Sequence, residues 1–245
     1  MLFKNSKKQH QTNEAERIND GKTHVFNLIV LDESGSMSTI ENEARSGCNE
    51  VLSGIRKAQE DHPELIQTIS LLPFSTGEMK YIYENTPIGD TKDIAGEYRP
   101  GGMTALYDAM GYALTRLEKE TDKYADAVGL VTVITDGYEN SSHEYSGKMV
   151  YDLVERLQKK GWTFAFMGAN QDVMEVAKSL HIKNAREFEY TGKGMTHAWS
   201  TEKLARERYW ERLKKMHGET AGMSTEDKQA HYAQMEAETD YFDGV

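Results

Sequence analysis

From His24 onward, short and nearly continuous apolar runs alternate with stretches in which apolar residues recur every three or four positions. The run 25–31 is β-rich and almost uninterrupted, as expected of a strand buried on both faces. Ile40, Ala44, Cys48, Val51, Leu52 and Ile55 then follow at helical spacing. Cys48 lies on that apolar stripe and reads as a buried structural thiol, not a nucleophile. Residues 65–74 and 79–83 read as two strands joined by the short turn 75–78, an antiparallel hairpin at a sheet edge. After a polar connection, Leu106, Ala109, Met110, Ala113, Leu114 and Leu117 mark a second amphipathic helix. A strongly apolar strand covers 127–135. A third helix carries Met149, Val150, Leu153, Val154 and Leu157 and ends at Gly161, and a further buried strand spans 162–167. A short helix over 172–180, a last strand near 187–190 and a long helix over 198–216 complete the pattern.

Strands separated by helices predict an α/β fold. The expected form is a doubly wound, mostly parallel central sheet with one antiparallel edge strand, helices on both faces and a C-terminal helical extension. In such sheets ligands sit beyond the carboxyl ends of the strands. Function is therefore sought just after each strand.

Composition narrows the classes. The chain has 245 residues, 40 acidic against 29 basic side chains and a net charge of −11, enough for one large domain or a domain with an appendage. It lacks an apolar run of about 18 residues and an N-terminal charged patch leading into an apolar segment, which argues against a membrane-spanning or exported protein. One cysteine excludes an intramolecular disulfide and a cysteine-based zinc cluster, and the expected location is cytoplasmic. The charge is uneven. Residues 219–245 hold seven acids against Lys228, whereas 203–215 hold six bases against Glu207 and Glu211. The expected organisation is a lead segment (1–22), the α/β domain (23–196), a basic helix (197–218) and an acidic tail (219–245). The plain reading of the last two is a solvated helix and a tail that is mobile or folds back on it.

Three strand ends carry candidate chemistry. After the first strand comes Asp32-Glu33-Ser34-Gly35-Ser36, in which alternate oxygen-bearing side chains can turn to one side about a glycine. Hard oxygen donors without His or Cys select Mg²⁺, with Mn²⁺ or Ca²⁺ as alternatives, over zinc. Before the second helix stands Gly101-Gly102-Met103-Thr104, in which Thr104 reads on its own as a helix N-cap. The strand 127–135 ends in Thr135-Asp136-Gly137, a carboxylate at a strand end followed by a turn glycine.

In order, placement and residue type, these segments together resemble the von Willebrand factor type A (VWA) family and its metal-ion-dependent adhesion site (MIDAS), over about residues 23–190. The resemblance implies that Ser34, Ser36 and Thr104 ligate the cation directly, with Asp32 and Asp136 supporting it or acting through water. It implies a non-enzymatic module that captures an Asp or Glu of a partner protein. It further implies a stand-alone intracellular bacterial or phage type, an adaptor or scaffold with an AAA+ ATPase system among its partners. Glu33, Met37, Ser38, Met103, the loop 138–143 and the loop 170–172 border that face, where they either tune recognition or are simply solvated.

Alternative chemistries fit less well. A Mg²⁺-dependent phosphatase of the haloacid-dehalogenase type needs a second carboxylate where Ser34 stands, and a lysine near the motifs that is not there. A nucleic-acid-binding role through the basic helix with Trp199 and Trp210 is opposed by Glu202, Glu207, Glu211 and the acidic tail. A serine hydrolase lacks its nucleophile elbow, and a nucleotide site lacks its glycine-rich loop.

Overall fold

The computed structural model describes residues 17–169 and 171–245, leaving aside the side chains of 171–173. The first sixteen residues of the lead segment and Asn170 lie outside the described residues, as do the side chains of Gln171 and Asp172. In chain order the elements are β1 (Thr23–Asp32), α1 (Glu41–Asp61), β2 (Leu65–Phe74), β3 (Tyr83–Pro87), α2 (Leu106–Thr121), β4 (Ala127–Thr135), α3 (Gly147–Gln158), β5 (Thr163–Gly168), α4 (Gln171–Ser179), β6 (Asn184–Glu187), α5 (Gly192–Glu219) and α6 (Thr225–Glu238). The strands form a six-stranded sheet in the order β3-β2-β1-β4-β5-β6. All neighbours are parallel except β2 and β3.

Every residue of β1 is buried, because helices cover both faces of the sheet. Val25, Ile29 and Leu31 point into one apolar layer with α1, α5 and the C-terminal residues. Phe26, Leu28 and Val30 point into the other, with α2, α3 and the end of α4. Cys48 is fully buried in the first layer, and burial pushes its thiol up to about 12, as an inert structural cysteine requires.

Helices α1 and α5 meet through Gly47, where an added Cβ would lie 2.1 Å from Trp199 Cγ. Gly47→Ala is expected to lower stability by about 1–3 kcal/mol through overpacking. Gly54→Ala on the same helix faces open space, so there removal of glycine flexibility is expected to be neutral or to stabilise by up to about 1 kcal/mol. Urea unfolding of the two variants checks the contrast.

The structure departs from the sequence expectation in three places. The edge strand begins at Tyr83 instead of Met79, because Met79 and Tyr81 pack against the α2 side of the core and leave the ladder to a polar segment. An edge strand solvated along one side can be polar. Its pairing shifts register between Ile69 and Leu71, where Asn85, at φ 46°, donates its N–H to Ser70 Oγ (2.9 Å). The last strand is Asn184–Glu187 instead of 187–190; Asn184 is tolerated in the interior because its amide reaches Phe164 O (2.9 Å) and Glu236 Oε1 (3.0 Å). The last long helix starts at Gly192, capped by Thr191, whose hydroxyl accepts from Gly194 N (3.0 Å).

The acidic tail takes the second of its two expected forms and folds back onto α5, where Tyr241 packs on Tyr209. Ser224 caps α6 by accepting from Asp227 N (3.1 Å), and Tyr232, Tyr241 and Phe242 are buried in the α1 side of the core. Lys228 pairs with Asp126 (2.6 Å) and the Tyr232 hydroxyl donates to the same carboxylate (2.9 Å), tying α6 to the start of β4. In α5 one of the six bases is turned inward. Arg206 is 1% exposed and bonded to Glu202, Asn27 and Thr132. Trp199 and Trp210 are buried and unable to stack on bases.

Candidate metal centre

The carboxyl ends of β1 and β4 lie side by side in parallel register, which brings Asp32 and Asp136 to one edge of the sheet. The chain leaves β1 through Glu33 and Ser34 into a tight 3₁₀ turn, Gly35–Ile40. That loop is joined to the segment 101–102 by Gly101 N–H to Glu33 O (2.7 Å) and Gly35 N–H to Gly102 O (3.0 Å). Gly102 sits at φ 80° and packs on Thr76, so this approach requires glycine. Through these bonds the second motif is laid beside the first.

All five candidate residues converge. Asp32 is fully buried; its Oδ1 accepts from Ser34 N–H (2.7 Å) and its Oδ2 from the Thr135 hydroxyl (2.5 Å). The Ser34 and Ser36 hydroxyls are 3.0 Å apart, and Ser36 donates to Asp136 Oδ1 (2.8 Å). A Cβ on Gly137 would lie 2.9 Å from Thr104 Oγ1 and 3.9 Å from Asp32 Oδ2, which places Thr104 next to Asp32 with the missing side chain between them.

Thr104 does not have the N-cap role that it reads as having on its own. The cap position of α2 is Ala105, with no side-chain cap. The opening amides of α2 are instead satisfied from the loop after β4, where Tyr107 N donates to Glu139 Oε2 (2.9 Å) and Asp108 N to Ser142 Oγ (3.0 Å). Asn140 holds the backbone of Thr104, its Oδ1 accepting from Thr104 N–H (3.0 Å). The Thr104 hydroxyl makes no hydrogen bond among the described residues. Glu139, Asn140 and Ser142 thus build the loop, a structural duty that their sequence left open.

Burial dominates the electrostatics. It pushes the Asp32 carboxyl up to about 6, against the bonds from Thr135 and Ser34, and nearby Asp136 adds to the rise. Burial also raises Asp136, partly offset by Ser36 and Tyr190, and raises Glu33 beside them. No ion pair joins Asp32 or Asp136 to a Lys or Arg among the described residues. Two desolvated carboxylates without a cation of the chain, three hydroxyls and a gap at Gly137 fit a hard divalent ion, whose charge would reverse both rises. Histidine and cysteine play no part in the set, which disfavours zinc.

Three further residues support the candidate centre, of which Tyr98 and Tyr190 had no signal in the sequence. Thr135, the first residue of the Thr135-Asp136-Gly137 segment, holds Asp32. The Tyr98 hydroxyl donates to Asp32 O (2.7 Å) from the connection before α2. Tyr190 crosses from the end of β6, accepts from Thr39 Oγ1 (2.8 Å) and donates to Ser36 O.

No family model matches the sequence, and no curated protein matches it. Solved structures do. The pilus adhesin SpaC of Lactobacillus rhamnosus GG, in its open conformation, is similar over 77% of this chain and 30% of the adhesin, at 13% identity and a TM-score of 0.55. Proximal thread matrix protein 1 from the mussel byssus is similar over 75% of this chain and 46% of its own, at 14% identity and a TM-score of 0.46. The SpRpn10 VWA domain is similar over 72% and 94%, at 11% identity and a TM-score of 0.47. The chain therefore spans less than a third of the adhesin, and the likeness is one of fold. With the observed sheet order and antiparallel edge, the chain shares the doubly wound α/β fold of the matched part of the adhesin.

Proposed function

We propose that this chain is a non-enzymatic, divalent-cation-dependent protein-binding module that captures an acidic side chain of a partner at the centre formed by Asp32, Ser34, Ser36, Thr104 and Asp136. The observation that carries this reading is the convergence of those residues with Thr104 released from capping. Ser34, Ser36 and Thr104 would hold the ion directly, and Asp32 and Asp136 would support it from outside, through water, with Asp136 also orienting the Ser36 hydroxyl. Mg²⁺ is the ion of choice, with Mn²⁺ or Ca²⁺ as alternatives. A bound cation supplies Lewis acidity and an open coordination position. Because the three hydroxyls carry no charge, much of the cation's charge is left for an incoming carboxylate. The residues provide binding and orientation, and Ser34 stands where a phosphatase of this layout would need its acid and base.

Base stacking on α5 is disfavoured, because Trp199 and Trp210 are buried. No helix among the described residues is long and apolar enough to cross a membrane. We place the module in the cytoplasm as an adaptor or scaffold, with an AAA+ ATPase system among the partners to be sought. Affinity capture from the native cell in Mg²⁺, in EDTA and with Asp32→Ala tests the function. The expected result is a set of partners present only with wild-type protein in Mg²⁺; a set unchanged by EDTA would overturn it.

A further inference from the structure

Seven large apolar side chains are exposed among the described residues, and three of them, Met103 (56%), Tyr138 (49%) and Tyr190 (43%), stand on the loops that form the candidate metal centre. Each is within two positions of, or bonded to, a residue of that centre. Met103 immediately precedes Thr104. Tyr138 follows Asp136 by two positions across Gly137. Tyr190 donates its hydroxyl to Ser36 O.

Exposed apolar side chains on mobile loops would be unremarkable, but the backbones here are pinned. Met103 N–H donates to Thr76 Oγ1 (3.1 Å), and Gly102 O, one residue before it, accepts from Gly35 N–H (3.0 Å). Tyr138 lies between buried Asp136 and Glu139, whose carboxylate accepts from Tyr107, Ser141 and Ser142 amides at 2.7–2.9 Å. Tyr138 itself makes no hydrogen bond or ring contact among the described residues. Tyr190 is fixed from both sides, accepting from Thr39 Oγ1 (2.8 Å) as well as donating to Ser36 O. Fixed backbones that hold apolar side chains in water incur little ordering cost when those side chains are later covered, which is how rigid aromatic anchors act at interfaces.

We propose that Met103, Tyr138 and Tyr190 form an apolar collar around the metal centre, and that the partner segment presents its carboxylate flanked by apolar or aromatic side chains. The inference rests on the capture reading above and adds the kind of sequence that is captured. The carboxylate is drawn to the cation, and the flanking side chains dehydrate the collar and with it the ion pair at its middle. A solvent-open carboxylate–cation contact is weak, and enclosing it strengthens it. Acidic segments with small or basic flanks would lose that enclosure.

The test pans a random peptide library displayed on phage against the full chain in Mg²⁺ and elutes with EDTA. The expected peptides carry an Asp or Glu with apolar or aromatic neighbours. Synthetic copies should bind the Met103→Ser/Tyr138→Ser variant at least about tenfold more weakly, while Mn²⁺ binding by calorimetry and thermal stability stay at wild-type values. Eluted peptides without apolar enrichment, or equal affinity for the variant, would overturn the collar while leaving acid capture intact. If Mn²⁺ binds but EDTA elutes no acidic peptide, capture itself fails and the collar with it. If neither Mg²⁺ nor Mn²⁺ binds, the metal centre is wrong at its root.

Discussion

Asp32→Asn is expected to raise the stability of the metal-free protein at neutral pH and to abolish its response to Mg²⁺. The carboxylate is fully buried and held up to about 6 by desolvation. A carboxyl raised in the folded state binds its proton more tightly there than in the unfolded chain. Its ionisation therefore opposes folding, and stability in EDTA should fall as pH rises from about 4 through 6. The ceiling on that loss is about 3 kcal/mol. Asparagine removes the charge at nearly constant shape. Its carbonyl can accept from Ser34 N–H as Oδ1 does, and its amide can donate to Thr135 Oγ1, whose own hydroxyl then turns to Gly137 O at 3.2 Å.

Calorimetric melts at pH 5 and 7, in EDTA and in Mg²⁺, give the comparison. Wild type should gain about 2.7 kcal/mol at a Mg²⁺ concentration a hundredfold above its dissociation constant, and the variant nothing. A variant less stable than wild type at pH 7 in EDTA, or one that still responds to Mg²⁺, would contradict the assignment of Asp32 to the centre. Asp136 and Glu33, both raised by burial, leave a residual slope of the same sign in the variant.

Arg206→Met is expected to destabilise the protein by about 3–5 kcal/mol, because it strands Glu202 as an unpaired charge in the interior. Glu202 and Arg206 are 0% and 1% exposed and pair at 2.6 Å within one turn of α5. Around them, Arg206 reaches Asn27 Oδ1 (2.5 Å) on β1 and Thr132 Oγ1 (2.8 Å) on β4, and Tyr241 donates to Glu202 Oε1 (3.2 Å). The network thus ties α5 and the C-terminal segment to the two central strands. Combining Arg206→Met with Glu202→Gln neutralises the stranded charge and keeps acceptors for Thr132 and Tyr241. Most of the loss should then be recovered, read as strong coupling in a double-mutant cycle of urea unfolding. Additive losses would mean that packing, and not charge, is what Arg206 contributes.

How much of this could be read in advance follows the range of the interactions involved. β1, β2, β4 and β5 announced themselves as apolar runs because they are covered on both sides, and α1, α2 and α3 because one stripe of each is. The candidate centre was legible for a related reason. Its residues cluster in three short motifs at strand ends, and parallel strands bring those ends together whatever lies between. What escaped was every feature whose partner is remote. Met79 and Tyr81 look like strand residues but serve the core from a loop. Asn184 looks unfit for the interior until Glu236 arrives from α6. Tyr98 and Tyr190 carry no signature, since either hydroxyl could as well face water.

By itself, then, the sequence determined the layered α/β architecture and the set of oxygen donors, since apolar periodicity dictates what must be buried and short motifs keep their neighbours wherever they fold. Only the tertiary structure decided that Glu139 and Ser142, and not Thr104, serve the opening amides of α2, and that the acidic tail is part of the core. Both depend on hydrogen bonds and burial between residues distant along the chain, and a local pattern does not specify which distant group will satisfy a buried polar atom.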